Sequence, residues 1–365
     1  LELELGLKVA DLDRVWRTWL KRKFYPQLLG KRTADEHGKP LDADAWFDTM
    51  PAAAGRDSTA VRVASVSARR GTIGIWDLLS DGKLWSAERI VEAGREARFE
   101  TIPILRSRLD VVNDRWLAFV AKNGATDRIF VYDLQERAIV DELWDADLVE
   151  ISSPAISPDL GRIVFSALSR GGTSDLWVFD VEEGILLQLT DDPYEDIDCA
   201  WHPSGDRVVF ASDRGDFAGG THSIYEVDAE GHERITPLVT SAADDTSPRW
   251  TDDGSVLGFL SDRAGTKNLY RMDGDEVRPL TNLVGGIFGW DFVDGDAAVA
   301  SIFEGRRFRL FELPTEGLVG ISPAPAQLPL PPYMAKVPRH DGIQAEEPPV
   351  TDYDVDLQLD FVQSV

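Results

Sequence analysis

The chain has 365 residues, enough for one large β domain or two ordinary ones, and 43% of them are apolar. A formal charge of −26 argues against nucleic acid as a partner, because an acidic surface repels a phosphate backbone. No apolar stretch reaches the length of a membrane-spanning helix, and the single cysteine, Cys199, excludes an internal disulfide.

Near the N-terminus Leu7, Leu12, Val15, Trp16, Trp19, Leu20 and Phe24 recur at close to helical spacing, which predicts an amphipathic helix over 7–29. Asp11 suits its start, Lys21, Arg22 and Lys23 suit its end, and Pro26 helps to stop it. The polar stretch up to residue 45 reads as a linker.

From about residue 46 to 322 the sequence is β throughout, and one phrase recurs in it. Its first clear copy runs Ser153-Pro154-Ala155-Ile156-Ser157-Pro158-Asp159, Ile163-Val164-Phe165, Leu176-Trp177-Val178-Phe179-Asp180, Leu189-Thr190. The second has Trp201-His202-Pro203, Val208-Val209-Phe210-Ala211-Ser212-Asp213-Arg214, Ile224-Tyr225-Glu226-Val227-Asp228 and Ile235-Thr236. The third has Ser247-Pro248-Arg249-Trp250, Phe259-Leu260-Ser261-Asp262-Arg263, Leu269-Tyr270-Arg271-Met272-Asp273 and Leu280-Thr281. A period in the forties with short strands and turns at fixed offsets marks a propeller blade.

Weaker copies flank these three. Val61–Val66 with Thr72–Asp77 gives a first blade, Arg115–Val120 with Arg128–Asp133 a second, and Trp290–Phe292 with Ala297–Ser301 and Phe308–Phe311 a sixth. The expected fold is all-β: a six-bladed propeller with a short N-terminal helix and a Pro-rich C-terminal extension. The strand that closes the ring falls either at Leu318–Ile321 or around Ala45-Trp46-Phe47. Residues 323–350 carry eight prolines and read as a semi-rigid spacer. In 351–365 polar and apolar residues alternate from Tyr353 to Val362, as in one amphipathic strand that needs a partner outside itself.

These repeats resemble the TolB-like (WD-repeat-like) β-propellers of bacteria over roughly residues 56–315. The third to fifth blades match that family's pattern well; His202 and Thr251 depart from it at a usual serine. Two flanking resemblances point the same way. The helix from Leu7 to Pro26 looks like the last helix of a gluzincin-type (peptidase-MA-like) metallopeptidase domain, and Tyr353 to Val362 looks like the start of a surface-antigen outer-membrane barrel. Together they imply the middle of a large envelope protein, periplasmic or associated with the outer membrane.

Chemistry is harder to find. There is no His-Glu-x-x-His, no Gly-x-Ser-x-Gly and no phosphate-cradling glycine motif. His37, His202, His222, His232 and His340 are scattered, though His222 and His232 flank one hairpin and admit a metal pair. Cys199 has acidic rather than basic neighbours and reads as a small buried residue. The recurring Asp213-Arg214 and Asp262-Arg263 read as a structural ion pair or a turn copied by duplication, and Trp177, Tyr225 and Tyr270 as packing between blades.

Acids crowd the loops that precede the innermost strands: Glu150 before the third blade, Asp196 and Asp198 before the fourth, Asp244 and Asp245 before the fifth. In a propeller such loops open onto one end of the central channel, so these residues, with Phe288, are the candidate partner-binding set. They equally suit turns and caps on an acidic protein. No cofactor is expected; calcium would need several convergent oxygens. The expected function is a non-catalytic module binding a protein or peptide at an acidic channel mouth and linking to an outer-membrane barrel. The alternatives are a substrate-gating propeller for a peptidase whose catalytic residues lie elsewhere, and a metal-dependent, lactonase-like propeller.

Overall fold

The computed structural model describes residues 9–28, 30–41, 45–57, 60–69, 71–80, 85–215, 220–231 and 235–315. The Pro-rich spacer, the alternating C-terminal stretch, His232, His340 and the closing candidate Leu318–Ile321 lie outside these residues. Helix α1 spans Val9–Leu28 and ends before Gly30 takes up a positive φ; a one-turn helix α2, Ala34–His37, follows.

Among the described residues every later regular element is a strand. Six antiparallel blades follow in chain order, the six-bladed propeller expected from the repeats; blades two to five are separate four-stranded sheets, and blades one and six join into one eight-stranded sheet. The innermost strands are β2 (Phe47–Asp57), β6 (Asp110–Val112), β10 (Leu148–Ile156), β14 (Asp196–Trp201), β18 (Asp245–Trp250) and β22 (Ile287–Phe292). Each pairs outward with its successors; β11 (Arg162–Ser169), β15 (Arg207–Ser212) and β19 (Val256–Ser261) are the second strands of blades three to five.

The apolar runs are short because each second strand is buried on both faces, as in a stacked array of sheets. In blade three, Val164 packs toward blade four in a cluster with Trp201, Phe210 and Tyr225. Its neighbours Ile163 and Phe165 pack toward blade two with Val120 and Ile129. Six such clusters fill the six gaps between blades. Phe165, Phe210 and Phe259 face Trp177, Tyr225 and Tyr270 across the next strand pair, so the recurring aromatics are blade-to-blade packing. Gly258 has to be small: a Cβ there would lie 2.3 Å from the Trp290 ring of blade six.

Ring closure uses a segment that reads as linker. The two-residue strand β1, Lys39–Pro40, pairs antiparallel with β24 (Arg307–Pro314) as Lys39↔Glu312 and Pro40↔Phe311, and supplies the fourth strand of blade six. Its polar, Pro-containing sequence hides it, because proline is tolerated only at such an edge. Phe47 adds a single parallel bridge to Phe308, joining blades one and six.

Candidate functional site

The channel is built from one bulge repeated in the innermost strands. Met50, Ser153, Asp198 and Ser247 take positive φ values of 48–57°, each at a break in register against the second strand. The bulge re-aims side chains toward the axis. Two residues further on, the register places Ala52, Asp110, Ala155, Ala200, Arg249 and Asp291 at one level around it. Three blades keep alanine there and three carry charge.

Those charges stopper the channel. Arg249 Nη1 donates to Asp110 Oδ1 at 3.2 Å, and its Nε lies 3.5 Å from Asp291 Oδ1. Asp110 also accepts from Ile156 N at 2.8 Å, and Asp291 from Ala53 N at 3.0 Å. One level nearer the loops, Arg108 donates to the carbonyls of Pro248, Asp198 and Cys199 at 2.6–3.1 Å. The Asp198 carboxylate accepts from Ser153 Oγ, Ser247 N and Ser247 Oγ. Every blade supplies a group to this network. Burial pushes Arg108 down to about 10, with Arg249 adding repulsion. Burial also opposes the charge on Arg249, but Asp291 and Asp110 overrule it and its pKa rises; burial raises that of Asp291. The stopper divides the axis into two cavities that share no lining residue.

The cavity on the loop side holds about 490 Å³. Glu150, Asp198, Asp244 and Phe288 of the expected set line it. Asp196 and Asp245 do not: both are fully buried behind the mouth, each held by the arginine two residues beyond its second strand. Arg214 Nη2 grips Asp196 at 2.6 and 2.7 Å, and Arg263 Nη2 grips Asp245 at 2.9 and 3.0 Å. Each arginine also donates from Nε to a serine, Ser212 or Ser261, and lies over the Phe–Tyr pair of its blade. Asp213 and Asp262 instead accept from the backbone N–H of Glu195 and Asp244. The Asp-Arg dipeptides are thus structural, with the arginine reaching back to the innermost strand. Blade one repeats the lock with Arg69, Ser67 and Asp48.

The mouth is also less uniformly acidic than the sequence suggests. Arg106 bonds Glu150 at 2.5 Å and Asp127 at 2.7 Å. Asp244 is bound by Lys267 at 2.9 Å and by His222 Nδ1 at 2.8 Å, and the His222 bond, chiefly, holds its pKa far below the usual carboxylate range. His222 itself is raised: burial disfavours its charge, but the bond to Asp244 and the nearness of Glu195 and Asp198 win. Glu195, 3.6 Å from His222 and over half exposed, is the most weakly paired of these acids. At the rim Leu105 and Phe288 are exposed, and Phe288 sits edge-on to Phe308 at 4.9 Å and near Phe303 at 6.4 Å. Arg106, Arg108 and Lys267 are absent from the set read from the sequence, because that set is drawn from the acids, with Phe288, in the loops before the innermost strands. The signal for the channel level was the substitution of charge for the repeat's alanine at Arg249 and Asp291.

Among the described residues no three His, Cys, Asp or Glu side chains converge as metal ligands. Cys199 is wholly buried, and that burial pushes its thiol up to about 12, so it is inert packing.

No protein-family model matches the chain. A relative among curated proteins, an uncharacterised protein of Agrobacterium fabrum, is 28% identical over 144 residues, 38% of this chain; the chain spans about half the length of that relative. Similar solved structures include TolB from Acinetobacter baumannii, at 19% identity and a TM-score of 0.49 over 76% of this chain and 66% of that one. They also include the β-propeller domain of the Trilobed protease from Pyrococcus furiosus, at 15% and 0.46 over 75% and 97%. The six-blade assignment rests on the chain's own sheet topology.

Proposed function

We propose that this propeller is a non-catalytic protein-interaction module of the bacterial cell envelope that receives a protein or peptide segment at the loop-side mouth of its channel. The observation that carries the reading is the stopper. A cavity that ends one level down in a buried ion network is a cul-de-sac, suited to docking a loop or chain end. Passage of a substrate along the axis, which a peptidase gate would use, requires that network to break. The rim offers what a docking site needs, an exposed aromatic anchor in Phe288 beside charged groups. Glu195 and a net charge of −26 favour a basic partner. The envelope location and the link onward to an outer-membrane barrel follow from the resemblance of the repeats and flanks.

A photo-crosslinking side chain placed at Phe288 and, as a control, at the exposed Trp144 of blade two tests this in the native host. Adducts from position 288 alone, suppressed by Glu195→Lys, are the expected result. Equal labelling from both positions, no labelling from 288, or adducts indifferent to Glu195→Lys would overturn it.

A further inference from the structure

Each blade ends in an outermost strand, and five of the six are blunted against pairing by proline or charge. Proline stands in β1, in β17 (Thr236–Val239) as Pro237 and in β21 (Glu276–Pro279) as Pro279. Charge stands in β5 (Trp85–Glu92) as Glu88, Arg89 and Glu92, and in β9 (Ala138–Leu143) as Asp141 and Glu142. The outermost strand of blade three, β13 (Ile185–Gln188), is as short as β17 and β21 but has neither. Its Ile185 and Leu187 are 55% and 42% exposed, while Leu186 between them packs into the cluster shared with blade two. Just past β13, Leu189 N donates at 2.8 Å to Leu176 O of β12 (Ser174–Asp180), the blade's third strand. Strand alternation then turns the N–H and C=O of Leu186 and Gln188 outward, and no strand among the described residues pairs with that side.

We infer that β13 is a docking edge, where an extended segment of a partner protein adds to blade three as a fifth strand. The segment is apolar at alternate positions, to cover Ile185 and Leu187, and carries Lys or Arg at its ends. Charge beside the strand selects it. Glu182 and Glu183 precede β13 and Asp191 follows it; all three are exposed and carry no ion pair among the described residues. A second copy is disfavoured: antiparallel pairing of Ile185 with Gln188 would set Glu182 of each copy against Asp191 of the other. The chain's own alternating stretch from Tyr353 to Val362 is disfavoured too, since it carries Asp354, Asp356 and Asp360 and no basic residue. A basic segment serves the outward backbone groups, the apolar side chains and the flanking acids together. The edge is separate from the channel mouth, and none of its residues lines that cavity.

The test is amide hydrogen exchange of the whole chain, read by mass spectrometry over residues 184–189, with synthetic peptides as probes. The probe alternates valine and threonine between a pair of lysines at each end. One counterpart has glutamates for the lysines; another keeps the lysines and has proline at its centre, which cannot extend a sheet. The lysine probe should slow exchange at 185–188, and both counterparts should need at least about tenfold higher concentration to do so. Ile185→Lys with Leu187→Lys should abolish the protection at an unchanged melting temperature. Leu79→Lys with Val140→Lys, the same change of charge at exposed positions elsewhere, should leave it intact. If the Ile185→Lys, Leu187→Lys variant melts early, the two counterpart peptides decide alone. No protection at 185–188, equal protection by either counterpart, or protection undiminished by the lysines at 185 and 187 would refute the assignment. Protection that grows with protein concentration without peptide would refute it in favour of a second copy. Protection confined to the residues of the channel mouth would refute it while leaving docking at the mouth intact.

Discussion

Two sets of buried ion pairs hold this propeller, and they are built on opposite plans. The locks at Asp48, Asp196 and Asp245 are local: each joins an innermost strand to an arginine at the end of, or just past, the second strand of the same blade, with a serine two residues before it. The channel stopper is global: Arg108 and Arg249 reach across the axis to blades other than their own. A lock is copied whenever a blade is duplicated. A stopper needs the copies to diverge, since a ring of six arginines or six aspartates at one level would repel itself.

That contrast fixes the largest expected effect. Arg249→Ala strands two buried carboxylates, Asp110 and Asp291, and should cost about 5 kcal/mol in urea unfolding, the upper end for a broken buried pair. Replacing Asp110, Arg249 and Asp291 together by alanine restores what blades one, three and four carry and should recover most of that loss. A triple variant as unstable as the single one would mean that packing, rather than charge balance, holds the axis.

Arg214→Ala leaves Asp196 buried behind Ser212 and should cost less, about 3 kcal/mol, because the damage stays within one blade. The comparison sharpens in pairs. Arg214→Ala and Arg263→Ala lie in different blades with no shared partner, so their losses should add to within about 0.5 kcal/mol. Arg108→Ala and Arg249→Ala share one network and should depart from additivity by more than that, as a double-mutant cycle in urea would show.

The same contrast explains what could be read in advance. Repetition is visible in a single sequence, so the six blades, the aromatic packing at Trp177, Tyr225 and Tyr270, and the structural role of Arg214 and Arg263 were all legible. The acids were harder, because Asp196 and Asp198, or Asp244 and Asp245, look alike on paper. Strand alternation around the bulge decides which turns to the axis and which turns back to the lock, and a bulge has no sure sequence mark. The stopper partners stand far apart in the chain, Arg108 with Pro248 and Asp110 with Arg249, and only closure of the ring brings them together. Closure itself was hidden because a two-residue strand at Lys39–Pro40 carries no periodicity.

The smallest effect separates the neighbours Asp244 and Asp245. Asp245 answers to an arginine, whose charge is fixed across ordinary pH, while Asp244 answers in part to His222, whose charge is not. The folded-state pKa of His222 is raised above its ordinary value of 6.5. The folded protein therefore holds that proton more tightly than the unfolded chain does. The resulting stability is fully present below pH 6.5 and fades as pH rises through the raised value. Urea unfolding of the parent and His222→Asn should differ most below pH 6.5 and converge as the pH rises past the raised value. Arg263→Ala, measured alongside, should show a loss that is flat over the same interval. A constant gap for His222→Asn would mean that its bond to Asp244 is made by the neutral imidazole. The mouth would then hold one cation fewer, leaving Glu195 and Asp244 still more open to a basic partner.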